Sequence, residues 1–566
     1  MEIETHPPSL AVPLCDSTIS DDVKEYSGSG TFGDPFVVDF AKPYDPGNPR
    51  DWSRLRKWAM TLQLGLSTIC VSAGSSAYSG GLESVMRDLH MSRTVAILGL
   101  SLYVFGFALG PLIWAPLSEV SVHPQCFPAF LTLQECLARK MFGRRLIFLA
   151  SYTPFTLFQQ VPVGELSIPR KASRQASESP LIDRSSPLTN AGGVIQDIWD
   201  SDERGLPQNL YAMAPLAGTV FGPIIGGYVS QVPRLGWRWV LWVIFIIGAS
   251  NLFMAFIYFP ETYAPVLLKR RSRELQTESG GAVYYVSKFS KDGDLQFAKL
   301  MRKNLSRPFI YLLTEPIVLL LSIYSAIVYS ILYAFLEAFP VVFQKGHHFS
   351  PGEGGLAFLG VGLGVAAGGS LSPLQAKFYR EHVLKNGGPQ PEDRLILARW
   401  AGVALPTGIF WFAWTSSPSV HWIVPILAGV PFGASMVILF TAIVGYLIDT
   451  YTIYCASALA ANVLFRSILA AVFPLFTPSL LAAIGPQWAS TIFACLALMC
   501  TPIPFLFYVC DSWVLGVYRH YHRHRHHLHS VLILFLFRRL PSITALEYEQ
   551  DPSEPRHSQL RAQPRT

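Results

Sequence analysis

Long apolar runs separated by short polar stretches dominate this chain. A helix that crosses a membrane needs about 20 mostly apolar residues in succession. The runs that meet this requirement are 58–78, 93–114, 206–230, 238–259, 312–336, 354–372, 395–414, 420–448, 453–483 and 488–509, and a weaker one covers 146–163. The pattern predicts an all-α membrane protein that crosses the bilayer many times.

The composition fits that class and excludes several others. Of the 566 residues, 51% are hydrophobic and only 14% are charged, whereas soluble domains carry roughly a quarter charged residues. These values exclude a disordered chain, a nucleic-acid-binding domain and a disulfide scaffold. The eight cysteines show no CxxC spacing, which favours buried thiols over metal ligands or structural bridges. The chain carries no nucleotide-binding loop, nucleophile elbow or HExxH motif, so we predict neither an enzyme nor a bound cofactor or metal.

The distribution of basic residues predicts which segments between the runs lie on the cytoplasmic side of the membrane. Arg50, Arg54, Arg56 and Lys57 precede the first run, and cytoplasmic loops of membrane proteins carry an excess of Lys and Arg. The break at 260–307 contains ten basic and five acidic residues. We therefore predict that the N-terminus and this connector are both cytoplasmic.

The charge pattern divides the chain into two membrane-embedded halves. The predicted parts are a disordered cytoplasmic tail (1–57), an N-terminal bundle (58–259), the basic connector (260–307), a C-terminal bundle (308–510) and a basic, His-rich cytoplasmic tail (511–566). Alternating histidines in the last part leave a metal site open, but attraction of a basic tail to anionic lipid is the preferred interpretation. Two helical halves joined by a cytoplasmic loop are typical of alternating-access transporters.

Glycines recur every fourth residue in one run of each half. The two stripes are Gly218, Gly222 and Gly226, and Gly360, Gly364 and Gly368. Four-residue spacing places each trio on one helix face, where small residues let backbones approach closely. Tight packing within a half would produce the same pattern. Because each half contributes one stripe, we predict a flexible seam between the halves, and Pro223 is expected to loosen its helix there.

Short motifs distributed along the chain point to one family. They are 48–52 and 57–58 before the first run, 106–119 in the second, 186–193 and 197–199 before the fifth helix, 222–227 within it, 260–265 after the sixth, 337–340 at the end of the seventh and 449–466 near the eleventh. Together they resemble the fungal drug:proton antiporters, the twelve-span branch of the major facilitator superfamily. The resemblance implies two six-helix bundles and, for 222–227, export in exchange for protons, although Thr219 stands where that family usually has proline.

Two segments depart from the family pattern. The family's short loop after the second helix is interrupted by an insert, 120–142, between Glu119 and the pair Arg144 and Arg145. We expect the gating clamp between these residues to survive in a looser form, because loop-closure entropy grows slowly with length. Residues 161–185, where the fourth helix should lie, carry seven charges that cannot be inserted into a bilayer. A faulty gene model would explain both departures, and about ten to eleven spans remain recognisable.

Candidate binding residues lie in or next to the runs 312–336 and 453–483, which resemble the seventh and eleventh helices of the family. Tyr329, Tyr333 and Glu337 follow one another at intervals of four and share a helix face, which could hold a cation through ring quadrupoles and a carboxylate. An interfacial tyrosine belt is an equal alternative. Arg466 inside an apolar run is a functional candidate because an unpaired charge in lipid is unfavourable, with Asn462 one turn before it. A structural anchor bonded to helix-end carbonyls is the slightly preferred interpretation of Arg466.

The predicted function is proton-coupled export of a cationic or amphiphilic small molecule, such as a drug, toxin or polyamine, by rocking of the two halves. Glu337 is the predicted proton carrier. The partners are the small-molecule substrate, protons and the lipid bilayer, without nucleic acid, and we expect a monomer. The plasma membrane is the first choice of location and the vacuolar membrane the second. The alternative is a transport-inactive relative that lacks a complete cycle.

Overall fold

The structure is a computed structural model that describes residues 26–41, 44–119, 144–145, 148–149, 152–153, 156, 186–200, 203–291, 297–386, 391–451 and 455–509. The predictions on 120–142, 161–185 and 511–566, and the side chain of Glu119, lie outside the described residues. The helices are α1 (Arg54–Gly80), α2 (Leu82–Leu89), α3 (Arg93–Glu119), α4 (Ser186–Ile198), α5 (Gly205–Ser230), α6 (Gly236–Tyr258), α7 (Ala264–Glu278), α8 (Phe297–Thr314), α9 (Pro316–Phe339), α10 (Pro351–Leu356), α11 (Leu359–Ser370), α12 (Ser372–Asn386), α13 (Ile396–Thr415), α14 (Ile423–Tyr451), α15 (Cys455–Cys500) and α16 (Pro502–Val509).

Most predicted runs lie in long helices, although 354–372 is divided between α10 and α11 and most of 146–163 lies outside the described residues. Across the described residues, eight helical segments are long and apolar enough to cross a membrane. The run 93–114 falls in α3, 238–259 in α6 and 395–414 in α13. The all-α prediction is therefore confirmed. The exposed side of α6 is apolar, with Ile246 and Phe253 on its surface, as expected where lipid is the solvent.

Two predicted spans lie within the single assigned helix α15. Gly485 has a positive φ of 78° inside that helix, a conformation that glycine adopts without a steric penalty. Pro486 follows directly and cannot donate a backbone hydrogen bond. The pair therefore forms the turn between the runs 453–483 and 488–509.

Part of the segment predicted to be a disordered tail is ordered. Strand β1 (Phe36–Val38) pairs in parallel with strand β2 (Tyr285–Ser287) of the connector. An ion pair of 2.6 Å between Arg271 and Asp45 fixes the same two segments. The prediction of disorder is thus wrong for the described residues up to 57. The docking places the N-terminal segment and the connector at one end of the molecule, which we call the inner end.

The two glycine stripes lie inside the halves and not between them, so the prediction of a seam is wrong for these six residues. A Cβ added at Gly218 would meet the backbone oxygen of Ile69 at 2.5 Å, and one at Gly222 or Gly226 would meet other residues of α1. Likewise, a Cβ at Gly368 would lie 2.6 Å from the backbone oxygen of Ala434, and Gly360 and Gly364 face the same helix, α14. Helices α1 and α5, and α11 and α14, pack backbone to backbone.

A different glycine stripe, recurring every seventh residue, forms the seam between the halves. Gly355, Gly362 and Gly369 all face α5. A Cβ at Gly355 would lie 2.5 Å from the carbonyl oxygen of Pro223, and one at Gly362 would lie 3.0 Å from Val220. Seven residues are about two helical turns, so these glycines share a face of α10 and α11. Pro223 therefore lies at the seam, opposite a position that only glycine fits.

Candidate functional site

A buried cluster of aromatic and polar side chains lies where the two halves meet. Its centre is Arg466 of α15, whose guanidinium carbon lies 4.8 Å from the ring centroid of Tyr329 and 5.0 Å from that of Phe440. Arg466 also interacts electrostatically with Tyr333 and with Tyr211 of α5. Residues of both halves thus surround one positive charge.

A chain of hydroxyl groups joins the halves beside this charge. The hydroxyl of Tyr333 lies 3.0 Å from that of Ser75 in α1, and 3.5 Å from that of Tyr329. The rings of the two tyrosines meet edge to face, with centroids 5.1 Å apart. Their predicted shared face is confirmed. Both side chains are buried in the centre of the protein, so they do not form an interfacial belt.

Asn462 lies one turn before Arg466 and takes a structural position. Its Nδ2 donates to the hydroxyl of Ser325 at 2.9 Å and approaches that of Ser322 at 3.4 Å. Both serines belong to α9, so this amide fixes α15 against α9. Although the sequence places Asn462 one turn before Arg466, the described hydrogen bonds of its amide go to Ser322 and Ser325.

Arg466 has no countercharge in the described part of the chain. No carboxylate there lies within 4.0 Å of its nitrogens, and its Nε is shielded from solvent without a hydrogen-bond partner. The residue as a whole is half-buried. It lies eleven positions after Cys455, the first residue of α15, which places it about 16 Å along the helix, near the middle of a bilayer core of about 30 Å. Among the described residues, no hydrogen bond to a carbonyl holds this guanidinium, as the anchor interpretation would require.

A second charged site lies one to two turns further along α9. Glu337 is almost completely buried and accepts a hydrogen bond of 3.0 Å from Nη2 of Arg93, at the start of α3. The two residues line a cavity of about 360 Å³ that both halves enclose. α1 and α9 each lead away from the inner end, so we call this the outer end. The ion pair therefore ties the halves together at the outer end.

A third set of charges lies at the inner end. Arg144 pairs with Asp197 at 2.6 Å, and the backbone amides of Arg144 and Arg145 donate to the carboxylate of Glu261. Burial raises the pKa of Asp197 to about 6 even though Arg144 opposes the shift. The C-terminal half has an equivalent pair, since Nε of Arg394 lies 2.8 Å from Asp449. The predicted clamp between Glu119 and Arg144 or Arg145 stays a prediction, because the side chain of Glu119 lies outside the described residues; the described partners of Arg144 are Asp197 and Glu261.

The ordered N-terminal segment adds a further ion pair at the inner end. Burial alone would raise the pKa of Asp45. Hydrogen bonds from the amides of Ala41 and Gly47, together with the Arg271 guanidinium, outweigh burial and lower that pKa. Asp45 is therefore held ionised and hydrogen-bonded between the tail and the connector.

Sequence reasoning missed three functional candidates. Arg93 carried a usable signal, because an arginine at the outer end of a span is disfavoured by the charge rule and needs a reason. Asp197 appeared only as part of a family motif. Tyr211 carried no signal, because a single aromatic residue in an apolar run is ordinary.

Residues 185–454 match the Major Facilitator Superfamily. The MFS-type efflux pump MFS2 of Trichophyton rubrum is 44% identical over 485 residues, which cover 86% of this chain and 77% of that protein. The major facilitator superfamily multidrug transporter mdrA of Aspergillus fumigatus is 44% identical over 492 residues, covering 85% and 75%.

Among solved structures, the fold is similar to that of the xylose transporter XylE from E. coli in a partially occluded inward-open conformation. The TM-score is 0.51 at 15% identity, over 80% of this chain and 97% of the transporter. At that identity the likeness concerns the fold alone. The sequence relatives carry the assignment further, and the resemblance drawn from the motifs is confirmed at the level of fungal efflux pumps. This chain belongs to the major facilitator superfamily and is a multi-pass membrane transporter, not an enzyme.

Proposed function

We propose that the protein is a proton-coupled exporter of amphiphilic small molecules that works by alternating access. The observation that carries this proposal is the buried ion pair between Arg93 and Glu337. It joins the two halves at the outer end, and an aromatic and polar site lies below it near the middle of the membrane. A site at that depth between two helical halves suits a substrate that is presented to each side in turn.

In this mechanism Glu337 carries the proton. In the conformation described here its carboxylate is paired with Arg93 across the outer end. Opening that end separates the pair and exposes Glu337 to the outer medium, where it takes up a proton. Return to the closed conformation brings back the positive charge of Arg93, which favours the ionised carboxylate and releases the proton. For proton movement to drive export, Glu337 must release its proton toward the inner side.

The names of the relatives support export and a broad substrate range. MFS2 of Trichophyton rubrum is described as an efflux pump and mdrA of Aspergillus fumigatus as a multidrug transporter. Aromatic side chains such as Tyr329, Phe440 and Tyr211 offer apolar contact to molecules of varied shape. We propose the plasma membrane as the location, where export clears the cell.

Efflux of Nile red, a neutral fluorescent amphiphile, tests the proposal. Yeast cells that express the protein are loaded with the dye, and its loss is followed at external pH 5.5 and 7.5, with and without a protonophore. We expect faster efflux at pH 5.5 and its abolition by the protonophore. Glu337→Gln should leave a slow efflux that is equal at both values, because the side chain can no longer bind or release a proton.

The matched control is Glu83→Gln. Glu83 is an exposed carboxylate that lines the same cavity, so its loss should leave the pH dependence intact. Unchanged pH dependence in Glu337→Gln would remove Glu337 from the mechanism. Surface-expressed protein with no dye efflux would favour the transport-inactive alternative.

A further inference from the structure

We propose that the central site binds the anionic group of its substrate, a carboxylate or comparable single negative charge on an aromatic body, with Arg466 as the direct ligand. The proposal rests on the proposed function for transport, but the binding step can be measured without it. It replaces the cationic class that the sequence suggested.

The first argument is the missing countercharge. A cation near the middle of a bilayer is unfavourable unless it is paired or hydrated. Among the described residues, only aromatic rings and hydroxyl groups surround the Arg466 guanidinium, and its buried Nε has no hydrogen-bond partner. Rings compensate a charge only partly. The described part of the site therefore supplies no negative group to this cation.

The second argument is that the carboxylates on the helices that form the site, Glu337 of α9 and Asp449 of α14, are already paired. Glu337 is paired with Arg93 at 3.0 Å and Asp449 with Arg394 at 2.8 Å. A cationic substrate at the centre would meet Arg466 without a described carboxylate to hold it, and like charges at close range repel. The electrostatics of the site thus select against cations and for anions.

The third argument is geometric. Arginine presents a planar fork of donors that matches a carboxylate in a bidentate manner. The half-buried side chain leaves part of that fork reachable. The hydroxyls of Tyr329 and Tyr333 lie on the same side of α9 as the charge, and tyrosine hydroxyls donate to anions. The rings of Tyr329 and Phe440 offer faces to an aromatic body.

Equilibrium binding to the full-length protein in lipid nanodiscs tests this assignment. The probe is tritiated 1-naphthoate, and the competitors are 1-naphthamide and 1-naphthylmethylamine, which present the same ring with a neutral or a positive group. Benzoate and anthracene-9-carboxylate vary the ring size. We expect saturable binding of at least one carboxylate, with the amide and the amine weaker by about tenfold or more, since hydrogen bonds to charged groups are the stronger ones.

Two variants of Arg466 test whether its positive charge is responsible for carboxylate binding. Arg466→Gln should weaken carboxylate binding by about tenfold or more and leave amide binding nearly unchanged, whereas a purely structural arginine would affect both ligands alike. Arg466→Lys should fall between, because it keeps the charge but loses the fork. The control is Arg399→Gln, since Arg399 also stacks on a tyrosine, Tyr508, at 3.6 Å but lies outside the cluster.

The outcomes separate this proposal from the proposed function. Three results would each overturn the proposal of an anion site. They are a preference of the wild-type protein for the amine or the amide, no saturable binding of any of the carboxylates, and an unchanged carboxylate affinity in Arg466→Gln. Nanodiscs hold no proton gradient, so binding is scored whether or not Nile red efflux depends on pH. If Arg466→Gln proves unstable, the carboxylate-to-amide preference of the wild-type protein and of Arg466→Lys decides.

Discussion

Loss of the outer ion pair should shift the protein toward an outward-open conformation. Glu337 is 3% exposed and Arg93 is 34% exposed. Breaking a fully buried pair by removing one partner costs about 3–5 kcal/mol, and partial exposure of the arginine lowers this to about 1–3 kcal/mol through solvent screening. The pair exists only while the outer end is closed. Glu337→Gln should therefore favour the open conformation by about 5- to 150-fold relative to the wild type.

Thiol labelling from outside measures that shift. Ser84 lines the outer cavity and is partly exposed, so Ser84→Cys reports access to it. Intact cells are treated with a membrane-impermeant maleimide, and the rate is corrected with protein that lacks the added cysteine. We expect Glu337→Gln to raise the labelling rate of Ser84→Cys at least several-fold, and Glu83→Gln to leave it unchanged.

A charge exchange provides the second half of this test. Arg93→Glu and Glu337→Arg should each raise the labelling rate, and the double variant should restore slow labelling by re-forming the pair in reverse. Equal rates in the wild type and Glu337→Gln would show that the pair does not hold the outer end closed. Fast labelling in the double variant would show that the charges act through other partners.

Three further predictions concern the seam and the inner end. Gly355→Ala should abolish Nile red efflux while the protein still reaches the cell surface, because its Cβ would lie 2.5 Å from a backbone oxygen of the other half, whereas Gly65→Ala has open space and should be tolerated. Asp197 has a pKa raised by burial to about 6, above its unfolded value, so its contribution to stability is present at low pH and lost as pH rises through 6. Lowering the pH from 7 to 5 should thus raise the free energy of unfolding by about 1 kcal/mol relative to Asp197→Asn, measured by thermal unfolding in nanodiscs. Asp45→Asn should weaken docking of the tail by about 1–2 kcal/mol, seen as faster hydrogen exchange in 285–287.

The helices were predictable because lipid leaves little choice of structure. A long apolar run in a bilayer must satisfy its backbone polar groups internally, so runs such as 93–114 and 238–259 became α3 and α6 with small shifts at their ends. The N-terminal segment was not predictable in the same way. Polar and proline-rich residues indicated disorder, but its partner strand lies about 250 residues away in the connector, and pairing at that distance leaves no local signal.

The two glycine patterns show which features of helix packing can be predicted from the spacing of residues in the sequence. A four-residue repeat identified the face that carries Gly218 and its equivalents, and backbones do approach closely there. Periodicity does not state which helix lies opposite. The seam glycines Gly355, Gly362 and Gly369 repeat every seven residues within a glycine-rich stretch, so their stripe was hidden among glycines that face α14.

Helix α9 connects the two functional sites of the proposed mechanism. Tyr329 contacts the Arg466 guanidinium, the hydroxyl of Tyr333 lies beside that of Tyr329, and Glu337 lies one turn further on the same face at the outer pair. Because α9 is continuous over these residues, the proposed binding of an anionic substrate at Arg466 would, if it displaces α9, also move Glu337 relative to Arg93. In the proposed mechanism, substrate binding and proton exchange would favour different positions of α9. This difference would couple the two steps.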